Sequence, residues 1–494
     1  MKKLISLVMA GLMLFSVLAL ASCKKEPNPN PEPSKTEASA TTAESDNNPI
    51  PDRTFDGKTF TMLCREARVS QFDIDKDKVA SKLDSAVYSR NKLVEQNHDI
   101  NIKMITCPDG DSKHKGVEFN QRLETSSLSG CLDYDVVAPD YYWGCETKGY
   151  FTDLLELPNL DFESPWWWSA WNDCFTIGGK LTSAVGWLTL DIVQGMEVVY
   201  FNKTMADALE VGDLYEKVRS GEWTIAEMRT LSIKAADLDQ ATPVYGTILH
   251  YMGMRNMIYS LGAQLSTYDE DGNVQFTFNT AKNQTVADTL RAWVFDGVGD
   301  VFYCSYDKEV GHNLGVNENP IETAQMFAEN RALFYCYGIK TAELLATKHD
   351  SLDFGILPAP TLNSGDPLVS TTFGTSYFSI ERGRTEDQKD FASFILEALN
   401  YYSYTMVKDV YYQQVLKLQY ADDLEDSEMI DFVIENAYLD FAYLTDNYTG
   451  HLLSYMEKSI VEGTGLDSRW ESISTKAQTR LQDYIDGYKK EKVD

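Results

Sequence analysis

The sequence contains little of what the common catalytic and metal-binding classes require. It has no HExxH, GxSxG or P-loop motif and no glycine-rich dinucleotide fingerprint, so the best-known hydrolase and nucleotide-binding signatures are absent. Its eight cysteines include no CxxC unit, which argues against a zinc site and a thioredoxin-like motif. Basic residues number 44 against 75 acidic ones, for a net charge of −31. A negative charge of that size argues against a nucleic-acid partner.

Long apolar runs are scarce too, and the only one near the roughly 18 residues of a bilayer span lies at residues 4–20, behind two lysines. A charged start, an apolar centre and small residues before a cysteine are typical of a cleaved export signal; a transmembrane helix is the competing interpretation. Leu20-Ala21-Ser22-Cys23 resembles the lipobox of bacterial lipoproteins, whose cysteine receives a diacylglycerol. We therefore expect a signal peptide at residues 1–22, lipidation at Cys23, and a protein anchored at the extracellular face of the cytoplasmic membrane.

Residues 23–51 are rich in Pro, Asn, Ser, Thr and Glu and contain no aromatic residue. Such a composition cannot bury enough apolar surface to offset the loss of chain entropy, so we expect a flexible tether. The remaining residues, 52–494, exceed what one hydrophobic core usually supports, and at least two lobes are expected.

Setting Cys23 aside leaves seven cysteines, an odd number that cannot all pair. We expect most of them to be small buried hydrophobic residues, while a single disulfide stays open because the protein is exported. They are Cys64, Cys107, Cys131, Cys145, Cys174, Cys304 and Cys336.

The first part of the globular region alternates strand and helix patterns. A β-rich run at 58–66 is followed by helical spacing at 79–96, an alternating strand at 100–107, a helical pattern at 119–128 and a buried strand at 136–138. This order predicts an open, mostly parallel sheet flanked by helices, whose ligands bind beyond the carboxyl ends of the strands.

A second α/β region follows, beginning with a predicted strand at 196–203. Thr224 and Glu227 form a capping-box pattern that predicts the start of an amphipathic helix. Asp271-Gly272 predicts a hairpin turn, and a mostly helical tail begins near Glu386.

Four stretches, taken in chain order, resemble those of the extracellular solute-binding proteins of ABC importers, the group that includes the maltodextrin-binding proteins. They comprise a strand with its binding loop, a "YNK" strand and helix, a helix end running into a strand, and a "G-x-x-x-x-P" strand that returns to the hinge. These are residues 133–157, 198–209, 326–338 and 352–380.

The resemblance implies an α/β, two-lobed fold of the type II periplasmic-binding-protein kind, with discontinuous lobes joined by a hinge. Lobe 1 is expected at 52–161 and 318–371, and lobe 2 at 162–317 and 372–494. It also implies a receptor, not an enzyme, that needs no cofactor or metal. Such a receptor captures a small ligand, here an oligosaccharide, in the interlobe cleft and delivers it to an ABC permease.

Sugars present C–H faces and hydroxyl edges, so their receptors pair aromatic rings with amide, carboxylate and guanidinium groups. For each aromatic candidate, packing in the core is the alternative. Some maltodextrin receptors carry a tryptophan directly after the glycine that matches Gly338, whereas this chain has Ile339, which counts against a maltodextrin ligand. The resemblance places ligand-binding residues at Asp140, Tyr141, Tyr142, Trp143, Trp187, Asp191, His250, Tyr251, Arg255, Tyr335, Tyr337, Tyr377 and Tyr448.

Three other interpretations remain open at this stage. A receptor of the same fold could bind a peptide or a polyamine. A secreted glycoside-acting enzyme needs only two suitably spaced carboxylates, which sequence alone does not exclude. Residues 73–84 place aspartates as in an EF-hand loop, but Lys78 stands where the sharp turn needs glycine, which favours an acidic solvated loop.

The stretch SPWWWSAW, residues 164–171, holds four of the nine tryptophans. Ser164 and Pro165 predict a helix N-cap followed by proline at the first helical residue. Trp167 and Trp171 would then stand four apart on one packed helix face, leaving Trp166 or Trp168 to lean into the cleft mouth.

Overall fold

The computed structural model describes residues 48–110, 116–305, 320–348, 352–372, 374–412 and 424–490. The expected signal peptide, Cys23 and most of the expected tether lie outside these residues. The end of the tether is corrected, because Ile50 is only 6% exposed and packs into the core. Among the described residues, no helix is both long and apolar enough to cross a membrane.

Within the described ranges, the strands form two main sheets and one hairpin, which β6 and β7 build around the predicted turn at Asp271-Gly272. In chain order the strands are β1 (Lys58–Arg65), β2 (Ile100–Cys107), β3 (Val136–Ala138), β4 (Glu197–Asn202), β5 (Tyr245–His250), β6 (Ser266–Tyr268), β7 (Val274–Phe276), β8 (Val301–Cys304), β9 (Ala332–Gly338) and β10 (Phe354–Leu357).

The α-helices cover the faces of both sheets and form most of the carboxyl-terminal part. In chain order they are α1 (Val69–Phe72), α2 (Lys82–His98), α3 (Val117–Ser129), α4 (Ser169–Phe175), α5 (Asp191–Gln194), α6 (Lys203–Ala208), α7 (Leu214–Arg219), α8 (Ile225–Ala235), α9 (Tyr251–Ser260), α10 (Ala281–Val294), α11 (Pro320–Ala328), α12 (Thr341–Lys348), α13 (Glu386–Tyr402), α14 (Leu424–Glu435), α15 (Phe441–Leu444), α16 (Asp446–Thr449), α17 (Leu452–Glu462) and α18 (Leu466–Tyr488).

The first sheet has the order β2-β1-β3 with every strand parallel, which confirms the predicted β-α-β-α-β arrangement. Helix α2 connects β1 to β2 and starts at a capping box in which Ser81 accepts from the Asp84 N–H at 3.0 Å and Asp84 accepts from the Ser81 N–H. Asp84 therefore caps a helix, which accounts locally for one carboxylate of the EF-hand-like stretch.

The second sheet has the order β10-β4-β9-β5-β8 and mixes parallel with antiparallel pairs. Strands β9 and β10 both pair with β4 here. Placing residues 318–371 in lobe 1 was therefore wrong, because the hydrogen bonds of this segment's strands tie it to the sheet expected for lobe 2.

The chain returns to the first sheet after β10. Ser379 forms an antiparallel bridge with Val137, and α13 packs against α2. The start of the segment 372–494, which was expected in lobe 2, therefore belongs with the first sheet. Helix α14 then packs on β10 of the second sheet, so the described chain passes between the two parts more than once.

The tryptophan-rich segment departs from the predicted helix. Helix α4 starts only at Ser169, because Trp167 bridges to Gly186 and the Trp168 N–H donates to the carbonyl of Val185 at 2.9 Å. These backbone hydrogen bonds take the place of those of the helix that was predicted to begin at Pro165. Trp171 is fully buried against Phe175, with ring centroids 4.4 Å apart, as expected of a packing residue.

All seven cysteines of the described residues are free thiols. Six are buried and Cys131 is exposed. Burial raises the pKa of the Cys64 thiol to about 12, which leaves it protonated and unreactive at neutral pH.

Candidate functional site

The loop after β3 carries the first group of predicted residues, in a short 3₁₀ turn at Tyr141–Trp143. Because parallel strands end at one edge of the sheet, residues following β1, β2 and β3 meet there. Arg65, the last residue of β1, forms ion pairs with Asp109 and Asp140. Its guanidinium also lies 5.2 Å from the Trp143 ring centroid. We call residues 139–144 the 140 loop.

The residues of the 140 loop do not all face the same way. Asp140 is 2% exposed and Trp143 is 5% exposed, and the Trp143 ring packs 5.2 Å from Phe119. A Cβ added to Gly116 would lie 2.5 Å from the Trp143 ring, so this contact depends on the glycine. Asp140 and Trp143 therefore hold the loop in place. The side chain of Tyr142 lies outside the described part of the chain.

Tyr141 is only partly buried. Its ring lies against Gly374, where an added Cβ would be 3.5 Å away. Burial raises the pKa of Tyr443, and the electrostatic effect of Tyr141 raises it further. Tyr443 itself is 3% exposed and stacks on the buried Tyr259, so it belongs to the core.

Tyr448 approaches the 140 loop from the same side. A Cβ on Gly144 would lie 2.7 Å from its ring, so the half-buried phenol rests directly on the loop backbone. Helix α16 supplies Tyr448, and the loop between β3 and α4 supplies Gly144. The structure thus brings together Tyr141 and Tyr448, two predicted residues separated by about three hundred positions.

A second group of predicted residues gathers at the junction of β5 and α9. His250 caps α9 by accepting the Met252 N–H on Nδ1 at 3.2 Å. The His250 ring lies 4.4 Å from Tyr251 and 4.5 Å from Tyr337, measured between centroids. Arg255, one turn into α9, places its guanidinium 5.3 Å from the Tyr251 centroid.

Two carboxylates that the sequence analysis missed complete this group. Glu457 of α17 accepts from the Arg255 guanidinium at 3.0 and 2.8 Å. Glu197, the first residue of β4, is fully buried, and among the described residues neither of its carboxylate oxygens has a hydrogen-bond partner. Burial raises the pKa of Glu197 well above its ordinary value, against the opposing charge of Arg255.

A carboxylate at the start of an otherwise apolar strand, as in MEVVYF, was the signal that could have identified Glu197. Polar groups in such strands are rarely buried without a reason. We call the residues of this group the second-sheet cluster: Glu197, His250, Tyr251, Arg255, Tyr337 and Glu457.

Two predicted tyrosines lie in the core instead. Tyr335 is fully buried, its hydroxyl is 3.0 Å from Thr323 Oγ1, and its ring stacks on Tyr200. Tyr377 is 1% exposed and donates its hydroxyl to Glu146 at 2.6 Å. Both positions lie on strand-like segments whose neighbours cover them on every side.

The last two predicted residues lie near the crossover between the sheets. The Asp191 carboxylate is completely buried; it accepts from the Gln71 amide at 2.6 Å and the Ser376 N–H at 3.0 Å and pairs with Arg68 at 3.1 Å. Asp191 therefore ties the chain segments of the first part together. Trp187 stacks on Trp168 and lines a separate cavity.

The charged groups around the site are largely paired with each other. Arg65 pairs with Asp109 and Asp140, and Arg255 with Glu457. Partly buried tyrosine rings also lie on the 140 loop, beside it and in the second-sheet cluster: those of Tyr141, Tyr251, Tyr337 and Tyr448. Within the described ranges, no group of three or more His, Cys, Asp or Glu side chains could hold a metal ion.

No family profile matches the sequence, and no curated protein matches it. Solved structures of similar architecture do exist. The cyclic α-maltosyl-1,6-maltose binding protein from Arthrobacter globiformis is 14% identical, over 87% of this chain and 99% of that protein, with a TM-score of 0.57. Two further structures give a TM-score of 0.51 at 15% identity: maltose-bound MalE3 of T. maritima, covering 86% of this chain and 100% of its own, and UgpB from Mycobacterium tuberculosis with glycerophosphocholine, covering 87% and 99%.

The chain has the type II solute-binding fold. The predicted fold class is thereby confirmed, since these structures span nearly the whole described chain. In the type II solute-binding fold two α/β parts close around a ligand by hinge motion. The 140 loop ends the first sheet of this fold, and the second-sheet cluster lies at the ends of β5 and β9 and the start of β4.

Proposed function

We propose that this protein is a lipid-anchored, extracellular solute-binding receptor that captures a carbohydrate between its two parts and delivers it to an ABC permease. The observation that carries the proposal is the contact of the half-buried Tyr448 with the 140 loop, together with the aromatic rings and charged groups gathered in the second-sheet cluster. Aromatic rings beside hydroxyl and amide donors suit the C–H faces and hydroxyl edges of a sugar. One similar structure is maltose-bound, and another is that of a cyclic α-maltosyl-1,6-maltose binding protein.

The pairing of the charges favours a neutral ligand. A polyamine would need carboxylates that are free to pair with it, and Glu457 and Asp140 already bind arginines. Glu197 has its pKa raised well above the ordinary value by burial, so it is held toward the neutral form, which donates as well as accepts hydrogen bonds. The similar structure of UgpB is a complex with glycerophosphocholine, so this fold also binds small polar ligands other than sugars.

Binding without turnover is the simplest role for this set of side chains. The similar structures are binding proteins, and the site carboxylates serve as partners of arginines or lie buried. A glycoside-acting enzyme remains the alternative of a different class. Incubation with a bound oligosaccharide separates the two, because a receptor returns the sugar intact and an enzyme releases shorter products.

Membrane attachment is proposed from the lipobox-like sequence ending at Cys23. One acyl chain gives marginal binding and two or more give stable anchoring, at about 0.8 kcal/mol per buried methylene. Expression of Cys23→Ser in a bacterial host should move the protein from the membrane fraction to the soluble fraction. A Cys23→Ser protein that stays in the membrane fraction would contradict the anchor.

The ligand class is tested by a thermal-shift screen of the full chain against maltotriose, mannobiose, spermidine and a tripeptide. A ligand that binds only the native state raises the melting temperature. We expect a shift with at least one oligosaccharide and none with spermidine or the peptide. A shift with spermidine alone would overturn the sugar assignment and leave the receptor class intact.

The site is tested with Tyr251→Ala and a matched control, Tyr88→Ala. Both tyrosines are partly buried and lie beside a cation, Arg255 at 5.3 Å and Lys92 at 5.7 Å, but Tyr88 lies on α2. Calorimetric titration with the sugar found in the screen should show at least a tenfold loss of affinity for Tyr251→Ala, about 1.4 kcal/mol, and none for Tyr88→Ala. Equal affinities for both variants would place the ligand elsewhere.

A further inference from the structure

A cavity of about 560 Å³ shares no lining residue with the 140 loop or the second-sheet cluster. It is surrounded by the segment 165–187, by residues 404–412 directly after α13, and by helix α14. Its volume falls in the range of about 300–1,000 Å³ that is usual for small-molecule sites. The residues that line it are Pro165, Trp167, Trp168, Ser169, Trp187, Tyr404, Lys408, Tyr412, Asp431, Ile434 and Glu435.

Aromatic rings dominate one wall of this cavity, which we call the Trp168 pocket. Trp168 and Trp187 stack with centroids 5.1 Å apart and planes 29° from parallel. Tyr404 meets Trp187 edge-on at 6.2 Å. Trp168 is the less buried member of the stacked pair, so its ring is the more accessible surface of the wall.

The charges of the Trp168 pocket favour a neutral ligand over an ionic one. Lys408 places its ammonium 4.1 Å from the Tyr404 centroid and 5.5 Å from that of Trp187, so the protein's own cation already lies over these rings. An anionic ligand would face Asp431 and Glu435 in the same cavity. Carboxylates and an ammonium together can hydrogen-bond the hydroxyls of a neutral polyol.

The backbone at this pocket is also unusual. Helix α13 continues into a π-helix at Ser403–Val407, in which the Lys408 N–H donates to the carbonyl of Ser403. Single π turns are rare and are found frequently at functional sites. This turn carries Tyr404 and leads directly to Lys408, which are the two residues that cover the edge of the tryptophan pair.

We propose that the Trp168 pocket is a second binding site, for a neutral pyranose ring that stacks on Trp168 and hydrogen-bonds Lys408 and Glu435. The pocket is lined by elements that pack on both parts, since the π-helix carrying Tyr404 packs on α2 and α14 packs on β10. A sugar in it would therefore lie against elements that belong to both parts. The proposal goes beyond the function proposed above and does not depend on which ligand the cleft takes.

The proposal is tested by saturation-transfer difference NMR on the full chain carrying Tyr251→Ala, which weakens the cleft. The probes are methyl α- and β-glucopyranosides, galactopyranosides and mannopyranosides, with choline as a cationic probe. We expect transfer to the ring protons of at least one glycoside, with a dissociation constant on the order of 1 mM. Transfer to choline alone would overturn the ligand class, and no transfer to any glycoside would overturn the site.

Three variants in the same background locate the binding. Trp168→Ala should abolish transfer, and Glu435→Ala, at an exposed residue whose loss leaves the fold intact, should reduce affinity by about threefold or more. Trp470→Ala is the control, because Trp470 also stacks on an aromatic ring, Phe278, at 5.7 Å but lies elsewhere. Transfer that survives both Trp168→Ala and Glu435→Ala would show that the sugar does not bind in this pocket.

Discussion

Arg65 explains why the 140 loop is ordered. Its guanidinium pairs with acidic residues that follow β2 and β3, and it lies over Trp143. Planar guanidinium groups present several donors in a fixed fork, so one arginine can bind two carboxylates and an aromatic face together. Asp140 was predicted to bind ligand. In the structure it pairs with the buried guanidinium of Arg65 and so helps to position this loop.

Glu197 is the residue whose protonation most directly concerns the site. Burial raises the pKa of its carboxyl well above the unfolded value near 4.5. A raised pKa contributes stability that is fully present below the unfolded pKa and is lost as the pH rises through the folded pKa. Glu197 should therefore make the wild-type protein progressively less stable as the pH rises above about 4.5.

The Glu197→Gln variant tests this sign, because glutamine keeps the shape and stays neutral at every pH. The melting temperature of Glu197→Gln minus that of wild type should increase steadily from pH 5 to pH 8. Scanning calorimetry of both proteins at the two pH values gives the comparison. A difference between them that does not change with pH would mean that Glu197 is ionised in the folded protein throughout this range.

At the scale of elements, the tryptophan-rich segment is fastened to α13 by one carboxylate. Glu397 accepts the indole N–H groups of Trp166 and Trp167 at 2.8 and 2.9 Å. Burial raises the pKa of Glu397 to about 7, although the two indole hydrogen bonds oppose this shift. Trp166, Trp167 and Trp171 are buried, and Trp167 and Trp168 line the Trp168 pocket.

Trp167→Phe removes one of these donors and should raise the pKa of Glu397 further. Hydrogen bonds to charged groups contribute about 1.5–3 kcal/mol, so the loss of stability should be larger at pH 8, where Glu397 is ionised, than at pH 5. Trp171→Phe is the control, because among the described residues its indole N–H has no partner. Urea denaturation should show a pH-dependent loss for Trp167→Phe alone; equal pH dependence in both variants would contradict the role of Glu397.

Helix α3 offers a matched pair of glycines. Gly116 and Gly130 flank it with φ angles of +71° and +68°, so alanine at either costs about 1–2 kcal/mol of backbone strain. Only at Gly116 would the new Cβ meet the Trp143 ring, while Gly130 has open space. Gly116→Ala should therefore lose more stability than Gly130→Ala in denaturant titrations and should also weaken ligand binding. Similar losses in both variants would show that Trp143 adapts without disturbing the 140 loop.

The sequence predicted most elements but misplaced two segments. Apolar periodicity identified β1, α2, β2 and α3, because these elements bury one regular face. It did not identify which sheet receives β9 and β10, since an apolar strand looks alike in either one. Likewise Tyr335 and Tyr337 are indistinguishable in sequence, and only the packing of Thr323 and Tyr200 around the former separates core from site.

At the scale of the whole molecule, the proposed function requires two parts that close around a ligand. Binding can shift an open–closed equilibrium only when the ligand has a higher affinity for one state, which requires contacts with both parts. In the proposed function, Tyr141 on the 140 loop and Tyr251 in the second-sheet cluster would provide such a pair. The chain also offers an exposed native thiol, Cys131, just after α3 of the first part, while the other described cysteines are buried.

The most direct measurement is a spin-label distance between Cys131 and a cysteine introduced by Thr285→Cys, an exposed residue of α10 in the second part. Pulsed dipolar spectroscopy is recorded without ligand and with saturating amounts of the sugar found in the screen. Closure around the ligand predicts that saturating sugar shortens the spin-label distance by several ångströms and narrows its distribution. In the Tyr251→Ala background, the sugar should leave the distance unchanged. An unchanged distance while the sugar demonstrably binds would contradict closure around the ligand.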